Sequence, residues 1–490
     1  MSRTKDVFWD STYYFSGLVL AAIVAYLTKL LLVRTLTVEE YGLFFAVFTF
    51  VIFFATFRGL GISSGLVRYL AEYNTKKKYG AIKSLILGST LLQLIVSLLV
   101  VVVMWALAPW LAETYFGHEE AVWLLRLLSF YLPLSIAFTN IKAILNGLKL
   151  NKWLASAELI KNTLVLAIIA ISLYLGARLY APAYGYLLAL VVFFFIFLLV
   201  ILKNHSFWKH KITGFYAENK KLVLFSLPLI FTSVGSLFIT YFDTLILTGF
   251  DTLTAVGVYN IVYPSALMLG MIGVALGTIL LPIMTELWSE NKKNEIIKAF
   301  RVIYKYLLVV CMPVLLVLMI LARPAIRILF GEDYILGVVA FNILLVAAFF
   351  KVVMTVNYRT LIGLDESKNI MSIYAVGAIS NVLLNLVLIP LYSINGAAIA
   401  TTTSFFLMLV MSFIYLRKKV LVQIPYAQSI VIILSSLAIP ALAYITPTLI
   451  PQINIYISTI AGIIFGGIAY LSILYAIKFI SVQEIKELLT

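Results

Sequence analysis

Few side chains in this sequence can do chemistry, and they lie where charge is costly. Seven basic residues, Lys29, Arg58, Arg126, Lys142, Lys161, Lys351 and Arg359, fall inside long apolar runs, with one clear carboxylate, Asp243. A charge at the centre of a membrane-spanning helix costs about 2.5–3.5 kcal/mol on insertion scales, which makes each a candidate for function. Counted at ~1.5 Å per residue, Lys351 is close to the middle of its run. Arg58 lies about 6 Å from the middle of its own, toward the end that carries a basic loop, too deep to reach a headgroup easily. Lys29 and Asp243 each sit about 9 Å from centre in the other direction. Arg126, Lys142, Lys161 and Arg359 are nearer the ends, where long side chains can snorkel to an interface. Glu158 begins its helix and reads as interfacial. Arginine offers oxyanions a planar fork, whereas lysine is a point charge that can follow a moving ligand.

Motifs for other chemistry are missing. The chain has no Walker A sequence, no G-x-G-x-x-G and no H-E-x-x-H, and its three histidines, His118, His205 and His210, lie outside the apolar runs. ATP hydrolysis, a cofactor, a metal centre and an enzymatic activity are therefore not expected. No potassium-type filter sequence appears, which argues against a channel. Cys311 is the single cysteine, so an internal disulfide is impossible.

The elements that must hold these charges are membrane helices. Sixty-three per cent of residues are hydrophobic and the mean hydropathy is +1.07, beyond an ordinary soluble domain. The pattern predicts an all-α polytopic protein of about 14 transmembrane helices: 12–34, 41–67, 84–112, 121–148, 158–176, 182–202, 223–249, 256–284, 302–322, 336–363, 370–390, 396–416, 427–446 and 453–475. Pro133, Pro264, Pro313 and Pro440 fall within helices and are expected to kink them. The excess of 36 Lys+Arg over 21 Asp+Glu is not a nucleic-acid signature, because it sits in short loops. Alternate loops, beginning with the N-terminus, hold 25 basic residues and the opposite set holds four. The positive-inside rule then puts both termini in the cytoplasm of a multi-pass cell-membrane protein. Asp6 and Asp10 before the first run, and no clear A-x-A site, speak against a cleaved signal peptide.

The chain also repeats itself. The stretch from Thr35 to Lys83 is echoed from Thr254 to Phe300, with Gly257 for Gly42, glycines 270, 273 and 277 loosely for 59, 61 and 65, and Lys292-Lys293 for Lys77-Lys78. PWLAETYFG from Pro109 meets PAIRILFG from Pro324, and NGLKLNK from Asn146 meets IGLDESK from Ile362. Two pseudo-symmetric six-helix lobes follow, 1–204 and 223–420, joined by a cytoplasmic linker at 205–222. Two peripheral helices and a tail occupy 421–490. The linker reads as a solvated connection or as a hinge with an anionic-lipid contact. The repeat offset carries Asp243 onto Thr28, beside Lys29, so these opposite charges are expected at matched depth. They could form an ion pair that gates or couples, or one kept only because neither charge is tolerable alone. Glycines at 61/65 and 273/277 are spaced for close helix packing.

TVEEYGLF with GLGISSGLVRYLAEY, FGEDY at Phe330 to Tyr334 and GAAIAT at Gly396 to Thr401 resemble the polysaccharide transporter family, with its Wzx-type oligosaccharide flippases. That family lies in the multidrug/oligosaccharidyl-lipid/polysaccharide exporter superfamily. The resemblance implies a central, cationic cavity of alternating access that carries a lipid-diphosphate-linked oligosaccharide from the cytoplasmic to the outer leaflet. Its implied partners are that substrate, membrane lipids and glycan-assembly enzymes, with no nucleic acid. On this reading Arg58, Lys351 and Lys29 bind the substrate phosphates, Asp243 with Lys29 forms a gate, and Arg126, Lys142, Lys161 and Arg359 are secondary cavity residues. The alternatives are a cation-coupled multidrug exporter, which the excess of cations opposes, and a non-transporting scaffold for glycan assembly.

Overall fold

A computed structural model describes residues 2–59, 61–420, 426–452, 454–477 and 479. Among them there are helices and no strands. The helices are α1 (Ser2–Thr35), α2 (Val38–Gly59), α3 (Ile62–Thr75), α4 (Tyr79–Leu111), α5 (Ala121–Ser129), α6 (Tyr131–Gly147), α7 (Asn151–Tyr174), α8 (Ala181–Asn204) and α9 (Phe215–Phe250). There follow α10 (Leu253–Leu267), α11 (Met271–Ser289), α12 (Lys293–Ile320), α13 (Ala322–Leu329), α14 (Val338–Gly363), α15 (Ser367–Lys419), α16 (Tyr426–Ser436), α17 (Ala438–Leu449) and α18 (Ile455–Ala476). Twelve stretches among the described residues are long and apolar enough to cross a membrane. One of them, within α15, is two helices joined at Ser393, whose φ of 54° breaks the ladder. The expected tail lies almost entirely outside the described residues.

Several expected helices are interrupted, for physical reasons. The run 41–67 is α2 and α3, parted at Gly61, whose φ of 66° is left-handed and favours glycine. The run 256–284 is α10 and α11, joined by a 3₁₀ turn at Met268–Gly270. Breaks at Phe130 and Leu437 each come three residues before Pro133 and Pro440, where a proline ring crowds the preceding turn. Pro313 leaves α12 continuous.

α4 shows how these helices are solvated. Its buried positions include Ser84, Ser89, Gln93 and Ser97, while Leu91, Ile95, Leu99 and Val102 are exposed. That is the reverse of a water-soluble helix, and it suits a helix whose outer face meets lipid tails and whose inner face uses small or polar side chains to pack.

By its contacts the chain divides into two compact units, Met1–Ile261 and Val262–Thr490. This division concerns which helices touch, whereas the lobes of the repeat concern similarity of sequence; α9 packs on α2, α3 and α4 within the first unit. At one end of that unit the Lys83 Nζ donates to the Trp208 carbonyl at 2.9 Å, joining the 74–83 hairpin to the linker, which is shorter than expected because α9 already begins at Phe215. At the opposite end Arg178 and Glu40 lie 3.4 Å apart, and the Tyr115 hydroxyl donates to the Leu245 carbonyl at 2.6 Å. The segments around Lys83 and Trp208 thus meet at one end of the first unit, and those of Glu40 and Arg178 at the other.

Candidate functional site

The N-terminal end of α2 is organised around a crossing with α10. A Cβ on Gly42 would lie 1.8 Å from the Leu253 carbonyl oxygen and 3.0 Å from the Gly257 nitrogen, and one on Gly257 would lie 2.4 Å from the Val38 oxygen. The two glycines that the repeat equates therefore meet backbone to backbone. Beside them sits a polar junction of three helices. Asp243 of α9 is buried, 2 % exposed, and its Oδ2 accepts from the Tyr259 hydroxyl at 2.5 Å. On the next residue of α10, the Asn260 carbonyl accepts from Lys29 Nζ at 3.3 Å, and the Asn260 amide donates to Thr244 Oγ1 at 3.3 Å. Lys29 also stands 5.6 Å from the centre of the Phe45 ring. The structure thus brings Lys29 and Asp243 to one junction, each through its own neighbour on α10. Tyr259 and Asn260 were missed by the sequence reading; the one signal was an amide inside an apolar run.

At the other end α2 opens into space. An added Cβ on Gly59 meets nothing within 4 Å. A recess of about 370 Å³ lies there, bordered by Thr56, Gly59, Gly61, Ser64, Gln93 and Thr139. A second, of about 290 Å³, shares Ser63, Ser64, Phe138 and Thr139 with it and continues to Lys142 and Asn146. The backbone of Arg58 stands at this break in α2, one residue before Gly59; its side chain lies outside the described residues. Buried Gln93 on the wall donates to Asn140 at 3.2 Å, and Asn140 donates to Thr90 at 3.0 Å. This amide chain satisfies polar groups that would be expensive in an apolar interior.

Glu158 proves central to the secondary candidates. It accepts from Lys142 at 2.6 Å and from Lys161 at 3.1 Å, and both ammonium groups lie over Phe138, 5.2 and 4.6 Å from its centre. The α6–α7 turn brings the three together, and the cluster keeps a net positive charge beside the recess. Arg126 is placed otherwise: its guanidinium stands 5.7 Å from the Trp105 ring and 5.4 Å from Trp123, and both indoles are exposed.

In the second unit Lys351 of α14 extends past the 3₁₀ turn that ends α10. Its Cδ is 3.8 Å from where a Gly270 Cβ would be, and its Nζ is 5.7 Å from the Phe405 ring. The Arg359 stem fills the place of a side chain on Gly277, 2.7 Å away, and Gly273 faces the Val352 backbone at 3.0 Å. The spacing of these glycines serves close packing of α11 on α14. Asn357, fully buried, accepts from the Tyr304 hydroxyl and donates to Ser412 at 2.7 Å. Arg58 and Lys351 belong to different units. Among the described residues no three His, Cys, Asp or Glu side chains gather as they would around a metal ion.

Comparison with known proteins follows the same lines. Over 99 % of this chain and 97 % of its own length, an uncharacterized membrane protein of Methanocaldococcus jannaschii is 26 % identical. A "Probable low-salt glycan biosynthesis flippase" of Haloferax volcanii is 22 % identical over 53 % of this chain and 54 % of its own. The fold matches the lipid II flippase MurJ in an inward closed conformation, with a TM-score of 0.76, 18 % identity, and coverage of 94 % and 97 % of the two chains. Residues 228–387 match the MatE family, and residues 8–288, more than half of the chain, match the polysaccharide biosynthesis protein family. The chain belongs to the polysaccharide biosynthesis protein family and is a membrane transporter of the multidrug/oligosaccharidyl-lipid/polysaccharide superfamily.

Proposed function

We propose that this transporter is a flippase that moves a lipid-diphosphate-linked oligosaccharide from the cytoplasmic to the outer leaflet by alternating access. The observation that carries this reading is the charge inventory of the spans, seven cations to two carboxylates, Asp243 and the Glu158 that pairs with Lys142 and Lys161. Moving an anion outward gains about 2.3 kcal/mol per charge per 100 mV of inside-negative potential, so export needs no ATP. The hydroxyls and amides set among the apolar walls of the two recesses, Thr56, Ser64, Gln93, Thr139 and Asn146, suit sugar hydroxyls, and the Lys142–Glu158–Lys161 cluster supplies an adjoining cation whose carboxylate a phosphate can displace. Both termini are cytoplasmic on this reading, and the crossing of Gly42 and Gly257 holds the outer end shut in the present state. Arg58, Lys351 and Lys29 bind phosphate, Asp243 with Lys29 biases the closed outer end, and Arg126 and Arg359 are secondary. Glycan-assembly enzymes are the natural protein partners, and the chain itself performs no covalent chemistry.

The test is translocation of a fluorescent lipid-diphosphate oligosaccharide in proteoliposomes, normalised to folded protein. Arg58→Lys should keep part of the activity, Arg58→Ala little and Arg58→Glu none, with all three inserted. If Arg58→Ala lowers only the folded yield and the surviving molecules flip at the normal rate, Arg58 is structural and leaves the site. The MatE match over residues 228–387, which include Asp243, favours a second reading, cation-coupled drug export. An imposed proton or sodium gradient that drives out a cationic dye, with no glycolipid movement, would select it.

A further inference from the structure

A third recess, of about 530 Å³, lies where the 74–83 hairpin meets the linker, and Lys77, Lys78, His210, Lys211 and Glu218 are on its wall. We propose that it binds the phosphate group of an anionic lipid. This site is separate from the transport reading and does not depend on it.

Three features point to an oxyanion. Lys77, Lys78 and Lys211 are exposed, and among the described residues none is in an ion pair with a carboxylate. The one acid on the wall, Glu218, is already engaged, accepting from the Tyr73 hydroxyl and lying 3.6 Å from Lys221. The wall also includes the first residues of α4, Tyr79 to Ala81, and the cap of α9, Gly214. Helix N-termini carry partial positive charge and unpaired N–H groups, so two long helices starting at one recess add to the lysines.

The recess is built rather than a chance gap between loops. Ser84 Oγ donates to the Thr213 carbonyl at 2.7 Å, and Asn219 donates to the Ser84 carbonyl at 3.0 Å. Lys83 spends its ammonium on two linker carbonyls, Trp208 at 2.9 Å and His210 at 3.3 Å. Gly80 permits the approach, since a Cβ there would lie 2.5 Å from the Lys211 oxygen.

The neighbouring surface selects a lipid over a soluble phosphate. Ile212, Phe215 and Tyr216, on the same segment as Lys211 and Gly214, are 48, 42 and 78 % exposed. Apolar and aromatic residues beside basic ones suit the headgroup region of a bilayer, where rings sit at the interface and lysines reach phosphates. A bound headgroup would tie the hairpin to the linker.

The experiment uses the full chain in neutral detergent and measures binding of dioctanoyl phosphatidic acid, inorganic phosphate and dioctanoylglycerol. The phosphatidic acid should bind saturably and at least tenfold tighter than inorganic phosphate, and dioctanoylglycerol should not bind. Replacing Lys77, Lys78 and Lys211 together by Gln should weaken the phosphatidic acid at least tenfold. The same change at Lys149, Lys152 and Lys203 should alter it less than twofold. Phe215→Ser with Tyr216→Ser should weaken the lipid but leave inorganic phosphate unaffected. All variants are compared at matched Tm, so a folding defect is separated from loss of the site. Equal losses in the two lysine triples would reduce the effect to diffuse surface charge and overturn the proposal. Inorganic phosphate binding as tightly as the lipid would also overturn it, in favour of a soluble-anion site.

Discussion

The two ends of α2 use glycine for opposite purposes. At Gly42 the missing side chain lets two backbones touch, with a Leu253 oxygen where a Cβ would have to be. At Gly59 the same absence leaves room, because nothing lies within 4 Å. Near the first glycine, Lys29 and Asp243 are held at a crowded junction with Asn260 and Tyr259. Near the second, α2 stops at a break and polar side chains face a recess. One helix therefore joins a tightly packed end to one that borders a recess.

Five substitutions break or sharpen that contrast. The largest effect is expected from Gly42→Val, since backbone atoms cannot move aside as a flexible side chain can. Its cost should reach or pass the top of the about 1–3 kcal/mol typical of overpacking, read as lost folded yield and lowered Tm. An unchanged Tm would mean that the crossing is loose.

Next come the charges of the tightly packed end. Asp243→Leu removes an acceptor of the Tyr259 hydroxyl, and Lys29→Met removes the donor to the Asn260 carbonyl. Each single change should cost about 1–3 kcal/mol, the range for a buried polar group that loses its partner. If the junction couples the two, the double variant should be more stable than the sum of the singles requires. Simple additivity in thermal unfolding would show that they act independently.

A smaller loss, about 1 kcal/mol, is expected for Gly61→Ala, which puts a Cβ on a backbone with φ of 66°. Gly59→Ala should change stability by less than about 0.5 kcal/mol. A large loss there would show that α2 is packed at both ends, and the contrast would fail.

Much of this architecture is legible in the linear sequence, and for a definite reason. A chain that must satisfy every backbone group inside lipid can span it only as helix or closed barrel, so hydropathy alone identifies an all-helical membrane protein. Glycine clusters and prolines then mark where the helices break, as at Gly61, Phe130 and Leu437, because these are local properties of the backbone. The quoted motifs likewise suffice for the family. What the sequence could not decide is which polar groups meet. Glu158 read as interfacial until the α6–α7 turn set it between Lys142 and Lys161. Asp243 and Lys29 were matched by the repeat, but Tyr259 and Asn260, which receive them, were not foreseen. Hydropathy averages around a helix and carries no record of its rotation, and a turn of about 100° per residue decides whether a side chain faces lipid, a neighbour or a cavity. Only helix packing settles that angle, and with it the difference between the glycine that closes one end of α2 and the glycine that leaves the other open.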